Sequence, residues 1–326
     1  MATEPANTLG HTGATCGLAP IPASERDIVS VTAEPFFQVA EEPLPLEGPA
    51  FDRQGNLLFV DIYGGRVLCL SLEQRRLTTL YSDPGQNPSG LAVHKDGRIF
   101  VAAVGPRNSQ GLFDAGGVFA LDPGGGGRQT VVPPSAGHAV NDLVFDRQGG
   151  FYMTDFRGSS TRPLGGVYYM PPDSSTLRPV LPDLCGANGV ALGPDDGVLW
   201  ATEFSACRLH RADLSAPATI SHTGTSIPYH FIGPGPDSMR TDLQGNVYVA
   251  LNRQGRVLVF SPYGIPIGQI LLPGREKNRF LRCTSLALMP GSRDLFIVAR
   301  DEVGGGGAMV FKAGGFADGL AMFSHQ

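Results

Sequence analysis

Six times between residues 47 and 299 the chain repeats one short pattern of polar and apolar positions. The six segments are EGPAFDRQGNLLFVD (47–61), SGLAVHKDGRIFVAA (89–103), NDLVFDRQGGFYMTD (141–155), NGVALGPDDGVLWATE (188–203), DSMRTDLQGNVYVAL (237–251) and TSLALMPGSRDLFIVA (284–299). Each opens on a polar residue, continues as a short apolar strand, turns, and runs back as a second apolar strand. The apolar runs are strand-length and carry no helical periodicity. The turn usually reads Asp/Pro-x-x-Gly, which suits a tight hairpin. Segment starts at 47, 89, 141, 188, 237 and 284 give the interval of one four-stranded propeller blade. Further strand pairs fall between the segments, as in GRVLCLSLEQRRLTTLY (65–81) and GRVLVFSPYGIPIGQILL (255–272). After the sixth segment only one more strand, GAMVFKAG (307–314), is visible. The N-terminal IVSVTAEPFFQV (28–39) is the candidate to complete that blade, closing the ring and removing its exposed edge. The expectation is an all-β, six-bladed β-propeller over residues 26–326, with four-stranded antiparallel blades around a central channel. Residues 1–25, polar and rich in Pro and Gly, read as an N-terminal tail or lead-in.

Composition narrows the picture. The chain has 326 residues, 42% of them hydrophobic, enough for one large core. Its 44 glycines and 27 prolines imply many turns and few long helices. A formal net charge of −5, with both signs interleaved, leaves no basic stripe for phosphates, so no nucleic-acid partner is expected. No apolar run is long enough to cross a bilayer, so no membrane partner is expected either. The N-terminus lacks the cationic start and apolar stretch of a secretory signal. The five cysteines, Cys16, Cys69, Cys185, Cys207 and Cys283, form no CxxC pair and read as reduced thiols of a cytoplasmic protein. Oligomeric state is not legible.

Candidate chemistry follows from the repeat register. Equivalent positions of successive blades are related by rotation about the channel axis, so the polar residue opening each segment converges with its counterparts at one channel end. Those residues are Glu47, Ser89, Asn141, Asn188, Asp237 and Thr284. All six carry side-chain oxygen, the donor that hard divalent cations prefer. One such residue before a strand is ordinarily a cap or turn; six in register toward one axis are not. Two carboxylates there would also repel one another without a cation. GxSxG, HExxH and P-loop motifs are absent. The glycine runs at 124–127 and 304–307 read as turns. His138, three residues before Asn141, is a candidate for the channel mouth, with a hydrogen-bonded loop histidine as the plainer reading. His222 and His230 fit no ligand spacing.

The sequence resembles the regucalcin/gluconolactonase family, most closely its drug-responsive-protein lactonase branch. The resemblance rests on TAEPFFQV (32–39), LEGPAFDRQGNLLFVD (46–61), NDLVFDRQGGFYMTDFRGSSTRPLGGVYY (141–169), ANGVAL (187–192), PDSMRTD (236–242) and RQGRVLVFSPYGIPIGQILLPGR (253–275), and runs from about residue 18 to 320. It implies a six-bladed propeller whose channel metal is held by Glu47, Asn188 and Asp237, with Asn141 at the variable third-blade position and Ser238 beside the metal. The implied cofactor is one divalent cation, Ca²⁺ first, with Mg²⁺, Mn²⁺ and Zn²⁺ as alternatives. The branch also carries a second, structural calcium. Here the corresponding loop, VVPPSAGHAVND (131–142), places Pro133 and Pro134 where the acidic ligand is expected, so the second site is not expected to survive, although Asp114 and the Gly116 carbonyl retain part of it.

The expected activity is a metal-dependent lactonase acting on a small-molecule lactone. The cation polarises the carbonyl, and Asp237 serves as general base or as proton donor to the leaving alkoxide. The alternative, in which Asp237 only ligates and a metal-bound hydroxide attacks, stays open. Asn141, His138, Tyr229 and Phe231 are the candidate substrate contacts, the last two from IPYHFIGPG (227–235), where packing between blades is the competing role. Two other functions compete: a non-catalytic calcium-binding scaffold, and a metal-dependent hydrolase of another ester or a phosphoester.

Overall fold

The structure is a computed structural model that describes residues 8–113, 115–173 and 176–326. It is a six-bladed β-propeller of four-stranded antiparallel blades. The inner strands are Leu46–Phe51, Pro88–Val93, Val140–Phe145, Ala187–Leu192, Pro236–Thr241 and Arg282–Leu288. Each is hydrogen-bonded to the strand that follows it, so every repeat segment is the inner hairpin of one blade. The Asp-x-x-Gly turns work as the sequence suggests. The Asp52, Asp146 and Asp242 carboxylates each accept backbone N–H groups two and four residues on, fixing the turn.

The ring closes through the N-terminal segment, but not with all of it. Glu34–Ala40 pairs antiparallel with Gly307–Gly314 and completes the sixth blade. Val29–Thr32 pairs parallel with Pro266–Leu271 and becomes a fifth strand on the fifth blade. The segment changes blade at the buried Ala33. Upstream of it, the Glu25 carboxylate pairs with the fully buried Arg256, and Arg275 donates to the Ala19 carbonyl.

The apolar core is distributed between neighbouring blades, where alternate strand residues interdigitate. Phe59 and Phe296, for example, pack in the cluster joining the first and sixth blades. Among the described residues no helix is long and apolar enough to cross a membrane.

The detail that positions the site is a register shift repeated in all six inner hairpins. It falls between Glu47 and Ala50, Pro88 and Gly90, Val140 and Leu143, Ala187 and Val190, Pro236 and Met239, and Cys283 and Ser285. Each shift is a one-residue β-bulge at the polar position, a device that re-aims a side chain and locally bends the strand. Glycine makes the bulges compatible with close approach between blades. A Cβ on Gly189 would lie 2.8 Å from the Asp237 carbonyl oxygen, and one on Gly90 2.6 Å from that of Asn141.

Candidate functional site

The six bulges gather the register-equivalent side chains at one end of the channel, and all six are buried. They divide by chemistry. The Ser89 hydroxyl donates to the Val140 carbonyl at 2.9 Å and the Thr284 hydroxyl to the Leu46 carbonyl at 2.6 Å, each clamping its blade to the next. The other four, Glu47, Asn141, Asn188 and Asp237, have no such clamp. Thr154 and Thr202 clamp from the second strands, onto the carbonyls of Asn188 and Asp237. Those two residues are therefore held by their backbones while their side chains stay available.

Two of the four are amides whose carbonyl oxygens, Asn141 Oδ1 and Asn188 Oδ1, are buried without a hydrogen-bond partner. An unmet buried acceptor is costly, so two in one channel call for a positive partner. The other two are carboxylates. Burial, followed by repulsion from Asp237 and Asp142, pushes Glu47 well above its ordinary range, with the Gly48 N–H and Arg240 opposing. Burial also raises Asp237, to about 7, against hydrogen bonds from Asn252 and Asn188. Asn252 Nδ2 donates to Asp237 Oδ2 at 2.8 Å, and the wholly buried Ser238 hydroxyl faces Glu47 Oε2 at 3.4 Å. Two carboxylates plus unmet amide oxygens form an oxygen donor set suited to a hard divalent cation. Among the described residues no group of three or more His, Cys, Asp or Glu is arranged to hold a metal. The set depends instead on its neutral amides.

The remaining candidates divide. His138 is held by its Nδ1 against Asp155 Oδ2 at 2.8 Å and lies beside the Tyr168 ring. The same carboxylate receives Arg157. Tyr229 and Phe231 are not gathered with the channel donors. Both pack edge-on against Phe260 in the cluster joining the fourth and fifth blades, and the Tyr229 hydroxyl donates to Glu25. Asp114, one of the two residues expected to retain part of a second calcium site, lies outside the described residues. The Gly116 N–H donates to the His138 carbonyl.

Three residues of the site escaped sequence reasoning. Asn252 stands one residue beyond the fifth repeat segment, where register comparison ends. Asp142 and Arg240 form a buried ion pair, Nη1 to Oδ2 at 2.9 Å, inside the channel. Their signal was present in NDLVF and DSMRTD as charges within the inner strands.

The opposite end of the channel is closed by the C-terminal segment. Phe323 is buried among Phe145, Leu91 and Phe51, and Arg53 Nε donates to the Ser324 carbonyl. The N-terminal segment instead makes contacts with Tyr229, Arg256, Gln269, Arg275, Glu276 and Asn278.

Residues 46–300 match the family model described as the SMP-30/gluconolactonase/LRE-like region. The chain belongs to this family. It is 46% identical to the lactonase drp35 of Staphylococcus saprophyticus over 305 residues, 93% of each chain. It is 42% identical to the lactonase drp35 of Staphylococcus aureus over 329 aligned positions, covering both chains fully. Among solved structures it is similar to a calcium-binding regucalcin of Agrobacterium tumefaciens, at TM-score 0.72 and 18% identity over 90% of this chain and 98% of that one. A gluconolactonase of Xanthomonas campestris is similar at TM-score 0.67 and 21% identity, covering 85% and 88%. At such identities the two structures speak to the fold this family member shares with them, the six-bladed ring.

Proposed function

We propose that this protein is a divalent-metal-dependent lactonase, with Glu47, Asn141, Asn188 and Asp237 holding the cation and Ser238 beside it. The observation that carries the reading is the pair of buried carboxylates facing two unpartnered buried amide oxygens at the bulged ends of the inner strands. The names of the full-length relatives support lactone opening as the reaction, and the calcium-binding regucalcin among the structural neighbours supports Ca²⁺ as the first choice of ion. Mg²⁺, Mn²⁺ and Zn²⁺ are the alternatives.

When bound, the cation supplies electrophilic assistance at the lactone carbonyl. The protein supplies the proton chemistry. Asn252 fixes the Asp237 rotamer, so its carboxylate is held in one orientation for exchange of a proton. Asp237 takes a proton from the attacking water as its oxygen bonds to the carbonyl carbon. It then returns that proton to the ring oxygen as the ring C–O bond breaks, giving a hydroxy acid. Asn141 and His138, the latter oriented by Asp155, are the proposed contacts to substrate oxygens. Phe156, after the second strand of the third blade, and Phe204, after that of the fourth, form an edge-to-face pair, 5.8 Å between centroids, and are proposed as an apolar wall for the substrate. Five free cysteines support a cytoplasmic location.

The reaction class is tested by following acid release at constant pH from small lactones, open-chain carboxylic esters and phosphomonoesters in the presence of calcium. Turnover of lactones well above the other two classes is expected. Preferential turnover of phosphomonoesters or open-chain esters would replace the reading with the corresponding hydrolase. No turnover in any class would favour a calcium-binding scaffold.

A further inference from the structure

Below the donor ring the channel departs from its repetition at two positions, and the two departures meet. One residue after each donor the blades carry Gly48, Gly90, Gly189, Ser238 and Ser285, but the third blade carries Asp142. Three residues after each donor they carry Ala50, Ala92, Val144, Ala191 and Ala287, but the fifth carries Arg240. This second level faces the two cavities at the far end of the channel, and Arg240 lines both. Arg240 Nη1 reaches Asp142 Oδ2 at 2.9 Å and also donates to the Met239 carbonyl. Asp142 is wholly buried, and its other oxygen accepts the Leu143 N–H. The pair thus ties the third blade to the fifth inside the channel.

The buried charges of the inner strands are Glu47, Asp142, Asp237 and Arg240. With all four ionised they sum to two negative charges, the complement of one divalent cation. An ion pair buried without need costs stability relative to apolar side chains of the same volume. The small residues at the same levels of the other blades show that the channel packs without charge there.

We propose that Asp142 and Arg240 form the floor of the cation site and set its fixed charge, matching the channel to a divalent ion. This rests on the metal-dependent reading above. Removing the arginine leaves three negative charges, and removing the aspartate leaves one. Because charges within a protein interact through a much lower effective dielectric than water, each change alters cation affinity about tenfold or more.

The test is equilibrium binding of Ca²⁺ and of Tb³⁺ to chelator-treated protein: wild type, Arg240→Met, Asp142→Asn and the double variant, with folding of each checked by thermal melting. Arg240→Met is expected to shift preference toward Tb³⁺ by about tenfold or more. Asp142→Asn is expected to weaken both ions and to shift preference toward Ca²⁺. The double variant, with two negative charges again, should return to the wild-type ratio. A merely structural pair would move both single variants in the same direction, and that result, or an unchanged ratio in folded variants, overturns the proposal. Should the single variants fail to fold, the double variant decides, since a ratio more than tenfold from wild type contradicts the charge account. Absence of any cation binding by wild type would instead overturn the metal-dependent reading itself.

Discussion

Asp237 combines features that rarely coexist in a carboxylate: it is buried, lies among other negative groups, and is held by an amide. Asp237→Asn keeps the shape and removes the ability to take a proton, so kcat for lactone opening should fall by roughly 10²–10⁴. Steady-state kinetics at saturating calcium checks this; a variant within a few-fold of wild type would remove Asp237 from proton transfer. Six oxygen-bearing positions were legible in the repeats, but their division into clamps and candidate ligands was not. Ser89 and Thr284 occupy the same register as Asn141, yet a hydroxyl can donate to a neighbouring blade's carbonyl, and an amide oxygen cannot. That distinction depends on which carbonyl lies within reach across the blade interface. Tyr229 and Phe231 stayed ambiguous for a related reason: an aromatic beside a loop serves a mouth or a core equally well until its neighbours are known.

The hairpins follow from local pattern, because alternating apolar strands around Asp-x-x-Gly turns admit few other arrangements. The bulges do not follow, since one extra residue in a strand leaves the hydropathic phrase unchanged. Gly189 is where the bulge leaves least room. Gly189→Ala would press a methyl group onto the Asp237 carbonyl and the Ser238 backbone. It should destabilise the fold by about 1–3 kcal/mol and weaken calcium binding, as denaturant unfolding and a binding isotherm would report. Second strands show another element-level rhythm: Asp61, Asp155, Glu203 and Asp301 stand at or near their ends, each buried and paired with an arginine. For Glu203, burial raises the pKa, but hydrogen bonds from His210 and from the Cys185 N–H and thiol outweigh it and bring the value to about 2. A carboxylate depressed in the folded state contributes stability above its unfolded pKa and loses it as pH falls. The stability gap between wild type and Glu203→Gln should therefore be full above about pH 4.5 and close toward pH 2. Urea unfolding across that range checks it, and a gap independent of pH would contradict the assignment.

The ring is closed by Glu34–Ala40 pairing with Gly307–Gly314, so closure joins the N-terminal part of the propeller to its last blade. Six blades and their N-terminal closure could be read from the repeat count and the missing strand. The division of residues 28–39 between two blades could not, because Val29–Thr32 and Glu34–Ala40 differ in which neighbour they find rather than in local pattern. Upstream, Glu25 is the buried partner of Arg256. Glu25→Ala would leave that guanidinium without its anion and should cost about 3–5 kcal/mol, read as a lower urea midpoint; an unchanged midpoint would mean the N-terminal segment adds nothing to the ring. The whole architecture brings four donors from four blades to one channel end, and the central claim is that this end works only with its cation. The most direct measurement is the initial rate of lactone opening by chelator-treated protein as calcium is added back, for wild type and Glu47→Gln in parallel. The account predicts a rate near zero that rises saturably with calcium in wild type and stays low in the variant. A full rate in chelated protein with no calcium left bound, or equal activity in Glu47→Gln, would contradict it.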